Sequence, residues 1–229
     1  MTDAPQHQIG LVLFPGLTQL DLTGPFEAFA RVPGAKVHLL WKRVEPVTSD
    51  TGMTIMPTTS FEDCPDLDVI CVPGGPGMND LLNDEEVLAF LRKQGAKARY
   101  VTSVCTGALV LGSAGLLKGY KAATHWASMQ FLEAFGATPV KTRVCVDRNR
   151  ITGGGVTAGI DFGLFVASQL TDRRTAERIQ LYMEYNPEPP FQAGSPDTAP
   201  PEVLGDFNTH AQAMLDKRRT AVKQAAARL

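Results

Sequence analysis

The sequence has no long hydrophobic run. No stretch approaches the roughly 20 continuous apolar residues that a transmembrane helix needs. Residues 1–8 are polar and lack the basic start and apolar core of a secretory signal. We therefore predict a cytoplasmic protein with no membrane partner.

Positive charge is not in excess either. The chain has 22 Lys and Arg residues against 24 Asp and Glu residues, a net charge of -2 and a pI of about 6.1. Proteins that bind nucleic acid concentrate basic residues on one surface, so this balance argues against nucleic acid as the main partner. Two short basic clusters, 148–150 and 217–219, are interpreted as solvated charges of a turn and a helix.

Cysteine and histidine are scarce, with four residues of each type. The cysteines show no C-x-x-C spacing, so the sequence indicates neither a zinc site nor a disulfide framework. In a reducing compartment they are free thiols. Cys71 and Cys145 lie in apolar, strand-like runs and are predicted core residues, whereas Cys64 lies in a loop.

Strand-like and helix-like segments alternate along most of the 229 residues. This alternation predicts an α/β fold with a mostly parallel sheet that is covered on both faces. Residues 185–201 break the pattern with six prolines and predict an extended arm, anchored by Phe191. Residues 201–229 predict one long helix whose apolar stripe is covered by the domain itself or by a second subunit. We therefore divide the chain into an α/β domain, 1–184, and a C-terminal extension, 185–229.

Residues 101–107, Val-Thr-Ser-Val-Cys-Thr-Gly, predict a strand, a sharp turn and a helix. Their Ser-x-Cys-x-Gly spacing is typical of the elbow that presents a nucleophile in α/β enzymes. The start of the helix would favour the thiolate of Cys105. The pentapeptide alone is equally compatible with a buried structural cysteine.

Two further turns are expected at the same edge of the sheet as Cys105, namely 15–21 and 73–77. The first turn brings Asp21, which is either a proton partner of Cys105 or a helix-capping carboxylate in a near capping box with Thr18. Two anions in a partly apolar pocket would share one proton. The second turn brings Gly74 and Gly75, whose bare amides suit a negative charge.

Thr106 follows the candidate nucleophile directly. Its hydroxyl could orient a substrate or water, and its backbone N–H could form an anion-stabilising pair with that of Gly75. An ordinary helix-start threonine is the alternative. His125 could form a dyad with Cys105 but is more simply interpreted as a hydrogen-bonded structural histidine.

Four motifs resemble the ThiJ/PfpI family of the class I glutamine amidotransferase-like superfamily. They are Phe-Pro-Gly-Leu-Thr-Gln-Leu-Asp-Leu-Thr-Gly-Pro (14–25), Val-Pro-Gly-Gly (72–75), Ser-Val-Cys-Thr-Gly-Ala (103–108) and Thr-His-Trp (124–126). The likeness continues into Tyr-Asn-Pro-Glu-Pro-Pro-Phe (185–191) and so extends over nearly the whole chain.

This resemblance implies a flavodoxin-like three-layer sandwich, a homodimer, and the hydration of an isocyanide to an N-formamide without a metal or organic cofactor. The implied partners are therefore a small-molecule isocyanide and water. Cys105 matches the nucleophile of the family, Asp21 its acidic partner and Thr106 a third catalytic residue. Proteolytic and amidotransferase relatives commonly have His directly after the nucleophile, so Thr106 argues against those activities.

Two other functions are compatible with the same motifs. One is a ligand or oxidation sensor related to the amidotransferase-like domain of AraC-type regulators, although a single helix after residue 201 is too short for their DNA-binding unit. The other is a glyoxalase or deglycase of the same superfamily.

Overall fold

The structure is a computed structural model that describes residues 7–229. Residues 1–6, which hold most of the polar start discussed above, lie outside it. The strands are β1 (His7–Val12), β2 (Ala35–Trp41), β3 (Val47–Thr48), β4 (Thr54–Ile55), β5 (Thr59–Ser60), β6 (Val69–Val72), β7 (Tyr100–Val104), β8 (Lys121–Ala122), β9 (Thr138–Pro139), β10 (Val144–Asp147) and β11 (Arg150–Gly153). The helices are α1 (Gln19–Phe29), α2 (Met78–Leu81), α3 (Glu85–Gly95), α4 (Gly107–Ser113), α5 (Ala158–Leu170), α6 (Arg173–Tyr182) and α7 (Pro201–Ala226).

Seven strands form the central sheet, in the order β10-β11-β7-β6-β1-β2-β5. All neighbours in it run parallel except β10, which pairs antiparallel with β11 at one edge. The central strand β6 is a continuous buried run of four apolar residues, as expected for a strand covered on both faces. The predicted α/β fold with a mostly parallel sheet is confirmed.

Helices cover the sheet in two layers. Helices α1, α5 and α6 pack against one another, and α3, α4 and α7 form a second group that α2 joins. In the first layer, the fully buried rings of Phe29 and Phe162 meet edge to face with centroids 5.9 Å apart. Such a pair stabilises the contact between helices beyond the burial of its area, and it ties α1, the helix that carries Asp21, to α5.

The C-terminal extension has two parts. No helix or strand lies between α6 and α7, and Phe191 in this arm is 77% exposed, so within one chain its side chain does not anchor the arm as predicted. Helix α7 packs along α2 and α4 and buries Ala211, Arg218 and Val222. Within residues 7–229, no helix is both long and apolar enough to span a membrane.

The sequence also predicts a helix over 127–135, and it predicts that Asn83 caps the helix over 84–94, and both of these local predictions are wrong. The segment 127–135 is not an α-helix but two 3-10 turns, Trp126–Phe131 and Glu133–Phe135, in keeping with the short lengths that 3-10 geometry favours. Asn83 does not cap α3. Asp84 does so, because its Oδ1 accepts from the backbone N–H of Val87 at 3.3 Å, while Asn83 donates to the carbonyl of Ala221.

The α1–α5 contact predicts a large effect of Phe162→Ala on stability. We expect this substitution to lower the free energy of unfolding by about 3–5 kcal/mol, because it removes a fully buried ring and leaves a cavity. Urea denaturation measures the change. Phe191→Ala is the matched control and should stay within about 0.5 kcal/mol of wild type, because its ring is exposed. A comparable loss in both variants would show that something else covers the arm.

Candidate active site

Cys105 lies at the turn between β7 and α4. Its φ angle is 54°, a left-handed conformation that costs a non-glycine residue energy. The helix can begin directly after this turn because Gly107 has no side chain, since a Cβ there would lie 2.0 Å from the carbonyl oxygen of Val72. The predicted strand, turn and helix are confirmed. The thiol is nearly enclosed, with Cys105 5% exposed.

Asp21 lies in the first turn of α1 and is fully buried. Its Oδ2 accepts a hydrogen bond of 2.8 Å from the backbone N–H of Gly74. Its Oδ1 has no hydrogen-bond partner of normal geometry among the described residues, and the side chain lies close enough to the Cys105 thiol for each to alter the pKa of the other. The structure therefore brings Asp21 and Cys105 together.

The predicted capping box at the start of α1 does not form. Thr18 occupies the N-cap position without a side-chain capping bond, and its hydroxyl donates instead to Asp50 at 2.8 Å. The carboxylate of Asp21 is directed across the sheet edge to Gly74, 53 residues away in sequence. The helix-capping interpretation of Asp21 is therefore wrong, because its acceptor oxygen serves a tertiary contact.

Thr106 joins this cluster through its side chain. Its Oγ1 accepts from the backbone N–H of Gly75 at 3.1 Å. Gly74 fits between Asp21 and Thr106 because it has no side chain. A Cβ at this position would lie 2.5 Å from the Thr106 nitrogen and 2.8 Å from Asp21 Oδ2. The amides of Gly74 and Gly75 are thus engaged inside the protein, and their role towards a reacting anion stays a prediction.

Burial controls the acid–base properties of the pair. It raises the pKa of Asp21 to about 7, against the lowering effect of the Gly74 amide and of Cys105. Burial, together with the charge of Asp21, also raises the pKa of the Cys105 thiol well above its usual value. The Thr106 N–H at the start of α4 lowers it, as expected for a helix start, but burial outweighs this effect. Both shifts favour a pair that retains one shared proton.

His125 has a different role from the one a dyad would need. Its Nδ1 accepts from the N–H of Ala127 at 3.3 Å and so caps the first 3-10 turn. Burial and the charge of Arg218 lower its pKa, which favours a neutral ring. No hydrogen bond to Cys105 is found in the described part of the chain. The structural interpretation of His125 accounts for these contacts.

Arg218 is a site residue that our sequence reasoning missed. The interpretation of cluster 217–219 as solvated charge is wrong for this residue, which is only 3% exposed. Its guanidinium donates to Ser128 Oγ at 2.7 Å and to Asn79 Oδ1 at 3.2 Å. The spacing held a usable signal, because Arg218 lies seven residues after Ala211 and four before Val222, on the buried face of α7.

Metal-binding side chains do not cluster in this structure. Within residues 7–229, no group of three or more His, Cys, Asp or Glu residues is placed to hold a metal ion. The chemistry that the described site offers through its own groups is therefore that of a buried thiol beside a carboxyl group.

A parallel sheet with a strained cysteine elbow and a buried acidic partner defines a class of α/β protein. The DJ-1/PfpI family model matches residues 7–169 of this sequence. The chain belongs to the DJ-1/PfpI family.

Individual relatives agree with this assignment. The chain is 56% identical over 222 residues to the isonitrile hydratase of Pseudomonas putida. These residues make up 97% of each of the two sequences. It superposes on the crystal structure of a ThiJ/PfpI family protein from Pseudomonas syringae with a TM-score of 0.93 and 47% identity, over 97% of this chain and 94% of the other.

A regulator is also similar to this chain. The HTH-type transcriptional regulator GbdR of Pseudomonas aeruginosa (strain UCBPP-PA14) is 32% identical over 189 residues, which make up 78% of this chain. The match spans 51% of the regulator, so this chain corresponds to about half of its length.

The raised pKa of Asp21 predicts an unusual dependence of stability on pH. The folded-state value is about 7, whereas Asp in an unfolded chain ionises near pH ~4. Between these values the folded state holds the extra proton, so the stabilisation is complete below pH ~4 and is lost as pH rises towards 7. Asp21→Asn cannot ionise. Its stability relative to wild type should therefore rise by about 1.4 kcal/mol per pH unit between pH ~5 and ~7 in urea denaturation.

Asp172→Asn provides the control for this experiment. Asp172 caps α6 through a bond of 2.9 Å from the N–H of Thr175, which lowers its pKa below the usual value. It is ionised throughout this range, so the stability difference caused by Asp172→Asn should not change with pH. The same flat profile for Asp21→Asn would contradict a raised pKa at Asp21.

Proposed function

We propose that this protein hydrates isocyanides to N-formamides, with Cys105 as the nucleophile. One observation carries the proposal: a buried thiol and a buried carboxyl group lie together, and burial raises the pKa of both. The 56% identity to a protein named isonitrile hydratase supports the choice of substrate. A homodimeric state and a cytoplasmic location stay predictions.

The site suits a small uncharged reactant. Cys105 and Thr106 are almost completely buried, and Asp21 is fully so. An anionic substrate would lose its hydration here beside the negative charge of the pair, whereas an isocyanide, R–N≡C, carries no net charge. Its terminal carbon accepts both a nucleophile and a proton, which are the two groups that the pair offers.

The first step of the proposed reaction forms a thioimidate. The Cys105 thiol passes its proton to the Asp21 carboxylate as its sulfur attacks the terminal carbon, and Asp21 delivers that proton to the same carbon. The product, R–N=CH–S–Cys105, holds the atoms of the isocyanide and the proton, and Asp21 is left as the carboxylate. No charge accumulates in the pocket, because one anion is present before the step and one after it.

The second step adds water. The oxygen of water bonds to the thioimidate carbon while the Asp21 carboxylate takes a proton from that water. Asp21 then passes the proton to the thioimidate nitrogen. The resulting R–NH–CH(OH)–S–Cys105 collapses, releasing R–NH–CHO and the Cys105 thiolate while Asp21 recovers the hydroxyl proton. The sum is R–N≡C plus water to R–NH–CHO, with the pair restored.

Gly74 orients the Asp21 carboxyl group in this reaction, and Thr106 orients water or the substrate. The Gly74 N–H holds one oxygen of Asp21, which leaves the other, Oδ1, for the thiol and the substrate. The Thr106 hydroxyl accepts from Gly75, so its own O–H remains directed elsewhere and can donate to water or to the substrate nitrogen. This assignment gives Thr106 the positioning role expected from the sequence.

The proposal is tested by incubating the protein with an aryl isocyanide and following N-formamide by chromatography. Cys105→Ala should lower kcat/KM at least ~10³-fold, since it removes the nucleophile, and Asp21→Asn should lower it by about 10²–10⁴-fold. Cys64→Ala is the matched control and should retain wild-type turnover, because Cys64 lies near Gln94 and Pro65, outside the cluster.

Absence of turnover in the wild-type protein would reject hydration of that substrate class. Oxidation of Cys105 by dilute peroxide without any turnover would then favour the sensor. A Cys105-dependent product from methylglyoxal would favour the glyoxalase or deglycase.

The covalent intermediate is tested separately. We expect acid-quenched wild-type protein, mixed rapidly with an excess of the isocyanide, to gain the mass of one isocyanide molecule on the peptide that contains Cys105. The increase should be absent in Cys105→Ala and should decay as formamide appears. Turnover with no adduct at any quench time would argue for direct attack by water and against the thioimidate.

A further inference from the structure

Arg218 is a buried cation whose position the proposed reaction does not yet explain. Among the described residues, it and Arg150 are the buried arginines. Arg150 donates to the carbonyl of Leu116 and to Asn149, and its guanidinium stacks on Tyr120. Arg218 has no carboxylate partner in the described structure and donates only to the neutral Ser128 and Asn79. A buried charge without a counter-ion is costly, so a compensating role is expected.

The two acceptors of Arg218 lie on the two segments that flank the elbow. Asn79 is in α2, directly after the 73–77 turn whose amides hold Asp21 and Thr106. Ser128 is in the 3-10 turn that follows Thr124, and the hydroxyl of Thr124 donates to the carbonyl of Cys105 at 2.8 Å. One guanidinium therefore joins both sides of the thiol.

We propose that Arg218 is a positioning residue for the reaction: it clamps the 73–77 turn and the 124–128 segment around Cys105 and presents to the thiolate the positive charge that it lacks elsewhere. This inference rests on the proposed nucleophilic role of Cys105. It accounts for the missing counter-ion, because the anion that balances Arg218 is the shared negative charge of the Cys105 and Asp21 pair.

The surrounding charges are consistent with this role. Burial lowers the pKa of Arg218, and the charge of Cys105 opposes that effect. Burial raises the pKa of Cys105, and the charge of Arg218 opposes it in turn. The charge of Asp21 raises the pKa of Cys105 and so opposes the effect of Arg218, and the charge of Asp50 raises the pKa of Asp21. Other charged residues on the elements packed against α7, such as Asp80 of α2, are exposed to solvent, where water screens them.

The proposal predicts the pH dependence of thiol reactivity. The probe is iodoacetamide, an uncharged reagent, and the alkylation rate of the Cys105 peptide is followed by mass spectrometry from pH ~6 to ~10. Removing the positive charge raises the thiol pKa, so Arg218→Met should react about tenfold more slowly than wild type at pH ~7, equivalent to one pKa unit. Burial keeps the thiol pKa high in both proteins, so both rates should rise with pH across this range and stay about tenfold apart. Arg218→Lys should restore most of the rate at pH ~7.

Arg219→Met is the matched control. Arg219 is the next residue on α7, is exposed, and pairs with Asp216, so its loss should leave the alkylation profile unchanged. Circular dichroism checks that each variant is folded, and Arg218→Gln replaces Arg218→Met if the latter is not. A folded neutral variant whose profile coincides with wild type overturns the proposal. Equal slowing in Arg218→Lys and Arg218→Met does so too, since these variants differ in charge and a purely structural role would not distinguish them.

The alkylation assay does not depend on isocyanide turnover, so the two proposals can fail separately. A shifted profile in a protein that makes no formamide would reject the hydratase and keep Arg218 as a partner of the thiolate. Formamide production with an unshifted profile would keep the hydratase and reject the role of Arg218.

Discussion

Two acidic groups that are buried side by side cannot both be ionised at low cost, and the geometry around Cys105 follows from this constraint. The sheet brings the thiol to the end of β7 and α1 brings Asp21 beside it, both removed from solvent. The Gly74 amide holds one carboxyl oxygen, and the missing side chain of Gly74 is what lets the two loops meet. The result is a pair in which the Cys105 sulfur is the nucleophile and the Asp21 carboxyl group beside it carries or accepts the proton.

Holding this pair costs stability, and the rest of the fold offsets that cost. Cys105 adopts a strained backbone angle, and burial destabilises the charged form of Asp21. Both residues sit on elements with large buried surfaces, namely the fully buried end of β7 and the α1–α5 contact with its Phe29 and Phe162 rings. Strain of this kind persists only where the surrounding packing determines the backbone, as it does at this sheet edge.

Local patterns predicted the parts of the molecule that local physics determines. The buried runs of β6 and β7 and the elbow at Cys105 depend on residues close together in sequence, and they could be predicted. Parallel topology then places the loop of Asp21 near the elbow, because the carboxyl ends of parallel strands share one edge.

The features that could not be predicted depend on contacts between distant residues. Thr18 has a capping sequence, yet its hydroxyl bonds to Asp50, 32 residues away. Arg218 lies between Lys217 and Arg219 and looks like solvated charge, yet its partners are 90 and 139 residues away. Periodicity can place Arg218 on the buried face of α7, but neither composition nor periodicity encodes which distant acceptor a side chain will meet, so its partners become visible only in the structure.

The position of α7 has a consequence for how the site is completed. Residues 7–169, which match the family model, contain both Cys105 and Asp21, while Arg218 comes from a helix beyond them. A chain whose α7 is not docked would have the elbow and the acid without the guanidinium that joins Asn79 to Ser128. The complete arrangement around Cys105 therefore depends on the docking of a helix that lies outside the region the family model matches.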